Sequence, residues 1–151
     1  MGLIFGLVFT AIGLFALVRG VVHYRTGKAS AAWPAVEGRV ADATVEVSVS
    51  TDSDGMTSRQ YTPHVVYTYS IGGQQYSSDQ VNIGSKWHYP TRARAEAKLN
   101  YQTGQRVNVH YNPENPSQAV LEPGSTRGAW GTLLIGIVFS AAGVAIVIFN
   151  L

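Results

Sequence analysis

The chain has 151 residues, 46% hydrophobic and only 13% charged, with no cysteine. A soluble domain carries about a quarter charged residues, so an ordinary soluble globule and a disordered chain are both excluded; the missing cysteine removes thiol nucleophiles, zinc–thiolate sites, iron–sulfur clusters and disulfide frameworks. The formal net charge is +2, but residues 33–126 hold seven basic and nine acidic side chains, a balance of −2. The positive excess therefore lies in the flanks, and the middle offers no nucleic-acid surface.

Residues 1–18 carry no charged side chain. As a helix they measure about 27 Å, close to the hydrocarbon thickness of a bilayer. The sequence predicts a first transmembrane helix over 1–25, with Arg19 snorkelling and His23, Tyr24, Arg25 and Lys28 at the interface. A cleaved signal peptide fits less well: the n-region has no cation, and the small-residue stretch Ala29-Ser30-Ala31 follows three cations. A second span is predicted over 128–151, with Arg127 and Trp130 as interfacial residues. Gly2 and Gly6, Gly136 and Ser140, and Ala141 and Ala145 each lie four apart, a spacing that lets helices approach within the hairpin or between copies. Counting loop-side cations favours the cytoplasmic side of the inner membrane for the middle domain; the extracytoplasmic side is the alternative, since the absence of cysteine and the scarcity of lysine also suit an exported domain.

Residues 33–124 read as a small β-rich domain. Val36, Gly38 and Val40, then Val45, Val47 and Val49, alternate with polar residues, and the parity changes near 41–44, as in one long strand with a bulge. A turn-rich loop spans 51–58. A second strand holds Val65, Tyr67 and Tyr69, Gly72-Gly73 marks a hairpin turn, and 76–83 returns. Thr91 is placed to cap a helix rich in good helix formers, ended by Gly104. Strands over 106–111 and 119–121 follow, joined by an Asn-Pro turn. The expected fold is two transmembrane helices flanking a mainly-β domain with one helix, built as a five-stranded curved sheet or an OB-like barrel.

The order of landmarks then becomes informative. Trp33-Pro34 and Glu37–Val40 are followed by Tyr61–Tyr69, the Gly72-Gly73 turn, Tyr101–Pro113, Asn115-Pro116 and Ala119–Gly124. In this the chain resembles the bacterial membrane proteins grouped as the domain of unknown function 3592 family. The resemblance implies a two-span protein with a β-rich insert and brings no catalytic residue or ligand.

Candidate sites are few. Asp52, Asp54 and Gly55 open like a calcium loop, but the twelfth position is Pro63 where a glutamate is needed. His64 and His110 lie in strands and could meet across a sheet, though two histidines alone make a poor metal site. Trp87, His88 and Tyr89 form a candidate binding lip, or a plug over a barrel end. No nucleophile elbow and no phosphate loop occurs. These features favour a non-enzymatic membrane module without cofactor, whose partners are the lipid bilayer and either a protein or further copies through the transmembrane helices. A membrane-associated hydrolase or metal enzyme using His64, His88 or His110, and an oligomeric channel or transporter subunit, are the alternatives.

Overall fold

A computed structural model of the chain describes residues 2–84 and 86–149, Leu3 and Arg127 through their backbone only. Met1, Asn150 and Leu151, at the outer ends of the two expected spans, lie outside the described residues. The chain divides into two compact units.

The first unit is a helical hairpin. Helix α1 (Gly2–Ala29) continues into a 3-10 turn at Ser30–Ala32, and α3 (Arg127–Phe149) returns alongside it. Four glycines of α1, Gly6, Gly13, Gly20 and Gly27, recur every seven residues and set the approach. A Cβ on Gly6 would lie 2.7 Å from Val147 Cγ2, one on Gly13 would lie 2.5 Å from Ser140 N, and one on Gly20 would lie 2.7 Å from Leu133 Cδ2. The partners step back by seven as the glycines step forward by seven, an antiparallel register kept by a heptad of small residues. Gly136 and Gly143 repay the contact from α3, against Leu17 and Thr10. Phe9 stacks on Phe139 at 5.5 Å between centroids. Of the small pairs expected from sequence, Gly6, Gly136 and Ser140 line this seam, whereas Ala141 is exposed. Gly124 N–H donates to Ser30 Oγ at 2.8 Å, and Ser30 Oγ donates to Gly27 O at 2.7 Å, so the ends of the hairpin are tied.

The second unit is a five-stranded antiparallel sheet. Its strands are β1 (Ala35–Thr51), β2 (Thr57–Ile71), β3 (Gln74–Ser78), β4 (Arg106–Asn112) and β5 (Asn115–Val120), in the order β3-β2-β1-β4-β5. The long first strand is bulged between Val40 and Asp42, where the alternation changes parity. Gly72 and Gly73 take φ of 58° and 84°, the positive values a two-residue hairpin demands. Gly38 has no room for a side chain: a Cβ there would sit 2.6 Å from Val109 Cγ2 and 2.7 Å from Thr68 O. One face of the sheet carries the core of Val40, Val65, Tyr67, Tyr69, Val109 and Ala119, and Tyr67, Val40 and Val109 are fully buried.

Two expectations are corrected. The sheet is open, not a barrel: β3 and β5 are both edges, and among the described residues no ladder joins them. Both are short, and β5 is paired to β4 at only a few positions before it ends. The seam is spanned instead by isolated bonds. Leu121 N–H and Glu122 N–H both donate to Val81 O, at 3.0 and 2.7 Å, and the Tyr67 hydroxyl lies 2.8 Å from the carbonyl oxygens of both Gln80 and Ala119. The helix after Thr91 is also shorter than its composition suggests. As α2 it spans Arg92–Glu96, and Thr91 makes no side-chain cap bond. Leu99 and Tyr101 leave the helical path to pack on the core, so burial outweighs helix propensity there.

Candidate functional site

In the β unit, the sheet face opposite the core carries a polar constellation of mixed charge. Antiparallel register sets Thr44 opposite His64 and Glu46 opposite Thr62, so Glu46, Thr62 and His64 share a face. His64 Nδ1 lies 2.5 Å from Glu46 Oε1, and its Nε2 lies 3.6 Å from Asp79 Oδ2. Lys86 Nζ donates to Asp79 Oδ2 at 2.6 Å. The Lys86 ammonium holds the Asp79 carboxyl below its ordinary range, with His64 adding in the same direction. Thr62 is buried, and its Oγ1 lies 2.7 Å from His88 Nδ1.

This cluster mainly binds itself. A carboxylate on Nδ1 fixes which ring nitrogen of His64 holds the proton. The other ring nitrogen, Nε2, is buried and has no hydrogen-bond partner among the described residues. A substrate would therefore have to open the cluster to reach it. Among the described residues no group of three or more His, Cys, Asp or Glu is arranged to hold a metal ion.

His110 belongs elsewhere. It lies opposite Ala35 on β4, while His64 lies opposite Thr44 on β2. The two positions are nine residues apart along β1, about 30 Å at strand rise. The expectation that His64 and His110 could meet across the sheet is therefore corrected; His110 Nδ1 instead lies 3.4 Å from Trp33 O. The segment holding Trp87, His88 and Tyr89 is docked along β2 by reciprocal bonds between Tyr61 and Tyr89, at 2.8 and 2.9 Å. Trp87 is 62% exposed, His88 is exposed and held by Thr62, and Tyr89 is half-buried. A shallow, polar cleft lined by Glu37, Arg39, Thr68, Ser70 and Gln75 also opens to solvent in this unit.

On the hairpin, Arg19, Arg25 and Lys28 are exposed, and the Arg19 guanidinium lies 5.8 Å from the centroid of the Phe15 ring. Tyr24 meets Trp130 edge to face at 6.1 Å. His23 is half-buried, with an Nδ1 that has no partner among the described residues. The Arg127 side chain lies outside the described residues.

The five strands and the two flanking apolar helices are the architecture on which comparison turns. A family model described as "Domain of unknown function (DUF3592)" matches residues 36–126. The chain belongs to this family. The matched stretch runs from Val36 in β1 to Thr126, just before α3, so the sheet of this DUF3592 member, but for Ala35 at the start of β1, falls inside it. No curated protein matches the chain. The Glu46–His64–Asp79 cluster escapes sequence reading because its members are distant in the chain and only strand register brings them together; the alternation of β1 and β2 places Glu46 and His64 on a common face once that register is known.

Proposed function

We propose that this protein is a non-enzymatic, membrane-anchored interaction module of the inner membrane. Its helical hairpin crosses the bilayer twice, and its β domain stands on the cytoplasmic side to dock a protein or lipid-linked partner. One observation carries the reading: the hairpin is apolar on the outside. The two helices are long and apolar enough to cross a membrane, yet only 17% of the most apolar stretch of one and 11% of that of the other is buried. Ile4, Leu7, Phe15, Leu134, Val138 and Phe149 all face outward. A water-soluble protein rarely exposes a continuous apolar surface of this extent, whereas hydrocarbon solvates it without cost and helices satisfy their own backbone there.

The dimensions agree. Helix α1, at 28 residues, is about 42 Å long, some turns longer than a hydrocarbon core of about 30 Å. The surplus falls at the end carrying Arg19, Arg25 and Lys28, where cations meet anionic headgroups, and Tyr24 with Trp130 fits an interfacial aromatic pair. That cation cluster at the domain end of α1 supports the cytoplasmic placement. The inaccessible Nε2 of His64 and the separation of His64 from His110 support a role without catalysis.

Fractionation tests the anchor. The full chain should sediment with membranes, resist carbonate and be released by detergent; release by carbonate alone would refute it. Protease added to spheroplasts should leave the β domain intact, and its digestion from outside would reverse the orientation.

A further inference from the structure

Strand β1 outruns the sheet. Strand β4 pairs only with Ala35–Arg39, while β2 follows β1 to Thr51. Past the bulge, Ala43 N–H donates to Thr103 Oγ1 at 3.2 Å, on the side away from β2. Backbone groups alternate sides along an antiparallel strand, so Val45, Val47, Val49 and Thr51 also turn their N–H and C=O groups to that outer edge. The partner strand agrees. Tyr61, opposite Val47, spends its own backbone groups on Tyr89, so the Val47–Tyr61 pair is a non-hydrogen-bonded one. Among the described residues, Val45, Val47, Val49 and Thr51 make no hydrogen bond on this edge.

Edge strands are usually blunted by proline, lysine, a bulge or a covering segment. The stretch 44–51, TVEVSVST, has none of these. It is rich in β-branched residues, and its one charge, Glu46, is engaged by His64 on the far face. The other face carries Val45, Val47 and Val49, with Val47 45% and Val49 59% exposed.

We propose that this edge pairs with the same edge of a second copy, antiparallel, about a two-fold axis at Ser48. The free edge from Val45 to Thr51 is centred on Ser48, so that register alone satisfies every outward residue of both copies. Val47 then lies opposite Val49 of the partner subunit and Val45 opposite Thr51 of the partner subunit. Glu46 faces Ser50 of the partner subunit, so no like charges oppose within the paired stretch, and the two valine stripes merge into one. The assembly is isologous and closed; each five-stranded sheet continues into the other. The site is distinct from the transmembrane helices and does not depend on the membrane reading.

The chain's lack of cysteine makes the test clean. Ser48 would meet Ser48 of the partner subunit as a non-hydrogen-bonded pair, with Cα atoms about 4.5 Å apart, within reach of a disulfide. Full-length Ser48→Cys, mildly oxidised in native membranes and in detergent, should run as a disulfide-linked dimer. Gln60→Cys is the control. Gln60 lies beside Ser48 on β2, so the two copies of it would be three strand spacings apart, about 14 Å, and it should stay monomeric. Adding Val47→Pro to Ser48→Cys removes one outward N–H and should abolish the cross-link with the circular dichroism unchanged. Val47→Lys, which keeps the N–H but charges the edge, should suppress it too and covers the case in which the proline variant misfolds. A monomeric Ser48→Cys, equal cross-linking of Ser48→Cys and Gln60→Cys, or a cross-link indifferent to the Val47 variants would overturn the proposal, including the case in which lipid covers the valine stripe.

Discussion

The Tyr67 hydroxyl lies 2.8 Å from the carbonyl oxygen of Ala119, joining β2 to β5 where no ladder runs. The same hydroxyl lies 2.8 Å from Gln80 O, so one proton serves two acceptors. Burial raises the Tyr67 phenol above its ordinary range, against the opposing effect of the Ser78 hydroxyl. Tyr67→Phe keeps the ring and leaves two carbonyls without this donor. It should cost about 1–3 kcal/mol, read as a lower urea midpoint of the full chain in detergent. An unchanged midpoint would mean that the seam is held by its other bonds, those to Val81 O and those from Tyr69 and Ser78 to Pro116 O and Ala119 O.

Gly13 and Gly131 separate close packing from helix propensity. A Cβ at Gly13 collides with Ser140, while one at Gly131 meets nothing within 4 Å. Gly13→Leu should lower the thermal midpoint in detergent by the equivalent of about 1–3 kcal/mol or more. Gly131→Leu should leave it level or slightly raised, since leucine is the better helix former. Equal behaviour of the two variants would deny the glycine seam.

Tyr101 predicts the alkaline limb of stability. Burial pushes its phenol up to about 12, assisted by the neighbouring Glu122 carboxylate, to which its hydroxyl donates at 3.4 Å. A phenol that stays neutral longer when folded stabilises the fold fully below its unfolded value near 10, and the gain disappears as pH rises through the folded value. Unfolding free energy should therefore fall between about pH 10 and 12. Tyr101→Phe should flatten part of that fall; a full-sized fall in the variant would contradict the assignment.

The Asp79–Lys86 pair works at the other end of the scale. Its folded carboxyl is lowered, chiefly by Lys86, so its contribution is present above the unfolded value near 4 and is lost as pH falls through the folded one. Both side chains are nearly half exposed, so solvent screening limits the pair to less than about 1 kcal/mol. Lys86→Ala should lower the urea midpoint slightly at pH 7, and the difference from wild type should vanish in strong acid. A difference that persists there would point to packing rather than charge.

Much of this was legible beforehand, for identifiable reasons. Alternation along β1 exposed the bulge because side-chain parity is a local property. Gly72-Gly73 announced its turn because few other residues tolerate positive φ. The hairpin seam was also written in the chain, in the seven-residue recurrence of Gly6, Gly13, Gly20 and Gly27, though a search for four-residue spacing passes over it. The open seam between β3 and β5 was not legible, since closure depends on where two strands end in space. Nor was the short α2: its helix formers are local, while the pull of the core on Leu99 and Tyr101 is not. His64, Glu46 and Asp79 meet only through register.

The bond between Ser30 and Gly124 spans 94 positions of sequence. The polypeptide thus leaves the helical pair and comes back to it at virtually one spot, after a single visit on the way at Gly84, which lies against Gly128. A module grafted in place of the β domain would need ends that converge to a similar gap, and the exchange would also remove the close approach of Gly84 to Gly128.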